Sequence, residues 1–115
     1  MPFVRIFATS DSSTKQKLIV VGCQGEDKKM DFSMAQMFGY CVDWRQEENN
    51  YITYPFILES DSNTDTDAVV IWGWGTKNSI IDIRGRRIVE GEKILRYDHD
   101  QKFTYTVAKI SLIHF

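Results

Sequence analysis

The stretch Met30-Asp31-Phe32-Ser33-Met34-Ala35-Gln36-Met37-Phe38-Gly39-Tyr40-Cys41-Val42-Asp43-Trp44 can be read with two periods, and the choice between them decides the fold. Met30, Met34, Met37 and Cys41 recur at helical spacing, and the carboxylate of Asp31 is placed to cap a first turn. Phe38, Tyr40, Val42 and Trp44 instead alternate with Gly39, Cys41, Asp43 and Arg45, the period of a strand. Glycine costs a helix interior about 1 kcal/mol relative to alanine. The segment therefore predicts a short helix over Asp31 to Phe38, giving way to a strand from Gly39.

On the N-terminal side, Phe3 to Phe7 is aromatic and β-branched, and a polar loop from Thr9 to Gln16 follows it. Leu18 to Val21 is an unbroken apolar run ending at Gly22, which suits a strand buried on both faces. Gln24 to Lys29 makes a turn. On the other side, Gln46 to Asn50 connects to a run in which Ile52, Tyr54, Phe56 and Leu58 share one side, so residues 39–58 read as a hairpin. Pro55 has no amide donor, which places this strand at an edge there.

Glu59 to Asp67 is an acidic loop, and Ala68 to Trp72 is a further buried strand. Ser79 to Arg84 and Arg86 to Val89 flank Gly85, as in a tight turn or a sharply bent strand. Lys93 to Tyr97 and Lys102 to Val107 flank Asp98 to Gln101, which has the composition of a four-residue hairpin loop. Phe103, Tyr105 and Val107 share a face, but the apolar set then changes register to Ile110 and Leu112. That slip predicts a bulge near Ala108-Lys109.

About eight short strands with turn signals between them predict a mainly β fold, a small antiparallel β-barrel or strongly bent sheet, with the one short helix covering an open end. The expected core comprises Ile6, Leu18, Val20, Met34, Phe38, Ile52, Phe56, Val70, Ile81, Ile83, Leu95, Phe103, Tyr105 and Val107. At 115 residues, two separate cores would each bury too little apolar surface, so residues 1–115 read as a single domain. Apolar types make up 43% and charged types 26%, an ordinary globular mixture. The absence of a basic leader and of any long apolar run predicts a cytoplasmic chain without membrane contact. Cys23 and Cys41 follow no metal spacing and are expected as free, buried thiols.

A formal charge of −2 argues against a dedicated nucleic-acid binder, whose affinity comes from neutralising phosphates. The charge is unevenly spread, with 6 basic against 11 acidic residues up to Thr76 and 8 against 5 from Lys77. Such asymmetry can support association between unlike patches.

Several residue groups carry possible chemistry. Asp61, Asn63, Asp65 and Asp67 are spaced like the first oxygen ligands of a calcium loop, but Thr66 and Trp72 stand where a turn glycine and a bidentate glutamate are needed. A solvated acidic turn is the expectation, with no metal. Asp98-His99-Asp100, with His114 as the other histidine, could supply a base or ligand, yet three neighbours at a hairpin tip tend to diverge into water. Either cysteine would need a positioned histidine to act as a nucleophile, and no local signature accompanies them. Asp82 is the weak catalytic candidate, because alternation sets it with Ile80 on the side opposite Ile81 and Ile83.

Trp72-Gly73-Trp74-Gly75 is the most distinctive feature, since glycines beside two indoles leave the ring faces uncovered. Arg84, Arg86 and Arg87, with Lys93 and Arg96, form the densest basic region and could meet carboxylates or phosphates. The leading expectation is a non-enzymatic binding or interaction domain without a cofactor. It would use Trp72, Trp74, Arg84 and Arg86 towards a small-molecule or protein partner, and would form a homodimer through strand edges. Two alternatives stand beside it: a small barrel enzyme with Asp82 and Arg84 in a pocket, and an accessory immunity or inhibitor-type protein whose loop from Glu59 to Asp67 covers a basic partner.

Overall fold

Val4, Ile6, Ala8 and Ser10 are buried while the residues between them are not, so the first strand turns one side inward with a period of two. The same rule runs around the molecule. The computed structural model describes residues 2–33, 35–61 and 63–113. Its strands are β1 (Phe3–Ser10), β2 (Lys17–Cys23), β3 (Met37–Arg45), β4 (Asn50–Ser60), β5 (Ala68–Trp72), β6 (Ser79–Ile81), β7 (Lys93–Asp98) and β8 (Gln101–Leu112). Each pairs antiparallel with the next, and β8 returns to β1, which closes the barrel. Among the described residues no helix is long and apolar enough to cross a membrane.

The expected helix over Asp31 to Phe38 does not form, and the described residues hold only a 3-10 turn at Gln46–Glu48. Asp31 caps a turn instead, its Oδ1 accepting the Ser33 amide at 2.8 Å and hydroxyl at 2.6 Å. Met34 lies outside the described residues. Strand pairing overrides the helical spacing because Met37, Gly39 and Cys41 all face inward, and β3 makes nine consecutive pairs with β4. Phe38 is consequently turned out, at 51% exposure, and is not core. Gly39 is required by close approach: a Cβ there would collide with the Ile19 carbonyl oxygen and stand 2.9 Å from the Phe56 ring.

Of the other expected core residues, Ile6, Leu18, Val20, Phe56, Val70, Ile81, Ile83, Tyr105 and Val107 are buried, and Phe103 packs against them partly buried. Ile94 takes the inward place expected of Leu95, which is half-buried. Ile52 is also half-buried, because it sits where β3 and β4 run on beyond their neighbours. β2 pairs with β3 only as far as Val42, and β5 pairs with β4 only from Phe56 onward. Asp43–Arg45 and Asn50–Ile52 therefore form a two-stranded arm, and Pro55 stands where β4 loses its second partner. Its carbonyl still accepts the Gly73 amide at 2.8 Å.

Two further details follow from pairing. Phe7 lies opposite Lys109 and Ala8 opposite Val107, so Ala108 is the extra residue of a bulge. Asp98 pairs with Gln101, leaving a two-residue turn with His99 in the left-handed region, at φ 51°, in place of the expected four-residue loop.

Arg86 to Val89 is not a strand. Arg87 makes a single bridge to Lys29, and Ile88 is fully buried. Gln24 explains why: its side-chain amide donates to the carbonyls of Lys28 (2.9 Å) and Ile88 (2.8 Å), tying two loops across one end of the barrel. Met30 and Ile88 plug that end, and the opposite end stays open.

Replacing Gly39 by alanine is expected to destabilise the protein by about 1–3 kcal/mol, the range for overpacking against unyielding atoms. Denaturant unfolding followed by tryptophan fluorescence checks this. An unchanged midpoint would mean that β2 and β3 separate at little cost.

Candidate functional site

The inward side of β7 runs Ile94, Arg96, Asp98, facing Tyr105, Phe103 and Gln101 of β8. Ile94 belongs to the core, so the two-residue period carries Arg96 into the barrel as well. A buried guanidinium is tolerated only when its charge and its donors are met. Arg96 Nη2 lies 3.0 Å from Asp98 Oδ2, and Nη1 donates to the Tyr105 hydroxyl at 2.9 Å and to Cys41 Sγ at 3.3 Å. Its plane sits 4.0 Å from the Phe103 ring centre, with Trp72 at 5.4 Å and Tyr105 at 5.9 Å. An aromatic cage closes around the cation.

Trp72 ends β5 and is held from two sides. Its edge meets Phe56 at 5.5 Å, and its indole N–H donates to the buried Ser79 hydroxyl at 2.9 Å. One indole face is left towards a cavity of about 430 Å³ at the open end of the barrel. Cys41, Ser79 and Tyr105 lie deepest, while Trp74, Tyr54, Arg45, Lys77 and His99 surround the mouth. Trp74 follows Gly73 out of the strand into a turn, is 63% exposed, and leans on Tyr54 at 5.8 Å. Arg45 fixes Tyr54 in turn by donating to its hydroxyl.

Burial pushes the Cys41 thiol and the Tyr105 phenol above their ordinary values, so both stay protonated near neutrality. Burial works against the charge of Arg96, but the carboxylate of Asp98 and the hydrogen bond to Cys41 favour it, and the guanidinium is held more firmly protonated. Arg96 and Asp98 are thus the ions of the inner wall, and they compensate each other. Arg96 Nε and Asp98 Oδ1 are buried without a hydrogen-bond partner. Leaving such groups unmet costs roughly 1–3 kcal/mol each, a local defect of the kind that binding sites carry.

The fold brings Trp72 and Trp74 to one cavity and keeps Arg84 and Arg86 away from it. Arg84 Nη1 donates to the carbonyls of Asp61 (2.8 Å), Thr64 (2.9 Å) and Asp67 (3.2 Å), and the guanidinium rests 5.8 Å from the Phe32 ring centre. A guanidinium thereby stands at the focus of the acidic loop, taking the carbonyl oxygens a cation would use. Asp61 Oδ1 accepts the Asn63 amide at 3.0 Å, and Asp65 lines a separate, shallow polar cavity with Arg84. Among the described residues no three His, Cys, Asp or Glu side chains are grouped to hold a metal. Both Cys23 and Cys41 are buried free thiols, and His114 lies outside the described residues.

Arg86 donates to the carbonyls of Asp82 (2.9 Å) and Lys93. Asp82 lines neither cavity: its carboxylate accepts the Leu95 amide at 2.6 Å and its own amide donates to the Leu95 carbonyl at 3.1 Å, prolonging the ladder between β6 and β7. Sequence reasoning placed Arg96 in a basic region with Arg84 and Arg86 and placed Phe103 and Tyr105 in the core, and missed that the three come together at this cavity. The signal available was the pairing of a charged Arg96 and Asp98 with apolar Ile94 on one side of a strand. Comparison with models of protein families, with curated proteins and with solved structures finds no match to this chain.

Two measurements test this account. Burial raises the Asp82 pKa above its free-chain value of 3.8, against the Leu95 amide and Arg86. An acid that holds its proton more tightly when folded stabilises the fold at low pH, and that contribution fades as pH rises from the free-chain value through the raised one. Thermal melts taken from the free-chain value upward are expected to show this decline in the wild type and a flatter profile in Asp82→Asn. Cys41 is expected to resist iodoacetamide at neutral pH and to be labelled once the protein is unfolded, as read by peptide mass spectrometry; rapid labelling of the native protein would contradict a buried thiol with a raised pKa.

Proposed function

We propose that this protein is a non-enzymatic binding protein that takes one small, flat organic molecule into the open end of its barrel. The observation that carries the reading is the cavity of about 430 Å³ walled by Trp72, with Arg96 held over Phe103 behind it and Trp74 at its mouth. An eight-stranded barrel is just wide enough either to fill with side chains or to hold one small ligand. Here the plugged end is filled and the other end is open. Apolar walls with a few fixed polar groups are the usual make-up of a ligand pocket, and about 430 Å³ lies within the usual range of pocket volumes.

Binding is favoured over catalysis by the protonation states. Cys41 and Tyr105, the deepest groups with reactive potential, are kept neutral by burial, and Arg96 is already matched by Asp98. Aromatic stacking and one or two hydrogen bonds from such a wall recognise a molecule without activating it.

The dye 1-anilinonaphthalene-8-sulfonate, a small aromatic anion, is a suitable probe. It is expected to bind native protein saturably, one per chain, and to quench tryptophan emission. Trp74→Ala should weaken binding about tenfold, the equivalent of roughly 1.4 kcal/mol, with little change in melting temperature. Trp72→Ala should lower the melting temperature as well, because Trp72 also supports Phe56 and Ser79. Dye binding that is unaltered by Trp74→Ala would remove this reading. Native mass spectrometry of gently purified protein would then reveal any retained molecule directly.

A further inference from the structure

The loop from Gly73 to Asn78, between β5 and β6, is fixed over the open end of the barrel. Gly73 donates its amide to the Pro55 carbonyl at 2.8 Å, and Gly75, at φ 75°, donates its own to the Trp72 carbonyl at 3.2 Å. The bond from the Trp72 indole to Ser79 ties the two ends of the loop together. So held, the loop brings Trp74, Thr76, Lys77 and Asn78 to the cavity. From another wall, the inward column of β3 runs on past Cys41 to Asp43 and Arg45, which reach the same mouth.

Charge then restricts what the cavity can hold. Its lining carries Arg45, Lys77 and Arg96 against Asp43 and Asp98, three positive charges against two negative with His99 left out of the count, on a chain whose formal charge is −2. The two inner ions answer each other, Arg96 and Asp98 lying 3.0 Å apart. The aromatic cage that would receive a cationic ligand is therefore filled by the protein's own guanidinium. Asp43 accepts the Gln16 side-chain amide at 3.3 Å. Arg45 donates to Tyr54 and has Asp43 and Glu47 within electrostatic reach. Lys77 is exposed and makes no ion pair among the described residues, which leaves it the least answered charge at the mouth.

Taking the open end as a ligand site, we propose that its ligand is an aromatic acid, with its ring system against Trp72 and Trp74 and one carboxylate, sulfonate or phosphate group at the mouth beside Lys77. The rings enter the apolar part of the cavity, while the anionic group stays near water and escapes most of the desolvation cost of burial beside Asp98. A cationic ring compound would meet a filled cage and a surplus of like charge. A neutral one would gain nothing from Lys77.

Two dyes with the same rings distinguish the preference for an anion from the site itself: 1-anilinonaphthalene-8-sulfonate and N-phenyl-1-naphthylamine, which lacks the sulfonate. Fluorescence titration reads the binding of each, and circular dichroism melts confirm that each variant folds. Lys77→Glu is expected to weaken the anionic dye about tenfold more than the neutral one, the scale of reversing a charge beside another near a protein surface. Asp43→Asn should strengthen the anionic dye about threefold relative to the neutral one. Raising the salt from about 0.05 M to 0.5 M should weaken the anionic dye alone. If Lys77→Glu changes the two dyes alike, or Asp43→Asn weakens the anionic one, the preference for an anion is overturned; loss of both dyes in Trp74→Ala would still keep the cavity as the site. If neither dye responds to Trp74→Ala, the ligand site itself falls, and the anion preference with it.

Discussion

The ladder between β1 and β8 is the constraint on which the rest of the structure depends. Without it, the remaining strands form a single curled meander with two bare edges, and a row of unmet amides and carbonyls on each would invite pairing with other chains. With it, inside and outside become distinct, and every two-residue alternation acquires a meaning. The Ala108 bulge lets this ladder keep Val107 and Tyr105 inward on one side of the slip and Ile110 against the core on the other. A straight β8 would lose one of those two sets to solvent.

Closure also explains why a charged pair sits where it does. The plugged end is filled by branched apolar side chains and by Met30 and Ile88, whereas the open end is lined by aromatics surrounding one guanidinium. Burying a lone charge there would be prohibitive, but Arg96 gains an ionic partner from its own strand and hydroxyl, thiol and π contacts from β3, β5 and β8. Four strands are thereby fixed around one side chain, which holds the cavity walls in place without filling the mouth. Arg84 does comparable work at a different place, gathering a loop's carbonyls that no strand can satisfy.

Much of the fold was legible because strand periodicity is strong where one face is buried. The mainly β class, the strand runs, the bulge and most core residues followed from alternation and turn residues alone. The segment from Met30 to Cys41 misled because methionines at helical spacing mimic an amphipathic stripe, and only the pairing of Met37–Cys41 with Tyr54–Leu58 across the hairpin decides against it. The site was half legible. Trp72 and Trp74 drew attention as paired indoles, but the arginine that completes the cavity stood only as one of a basic region. Leu95 seemed the natural inward residue of its strand, and choosing it sends Arg96 to solvent by parity. A single misassigned face hides a whole functional column, since alternation fixes all members of a strand together.

The meander has a consequence for how the protein is made. Seven of its eight pairings join consecutive strands, so each can form locally as the chain leaves the ribosome. The eighth joins residues about a hundred positions apart and must overcome the entropy of a long loop. Until then the edge of Phe3 to Ser10 stays uncovered, the first of the eight barrel strands to be made and the last to be completed. Nascent chains of this protein therefore pass through one prolonged vulnerable stage, which ends only when β8 has emerged in full.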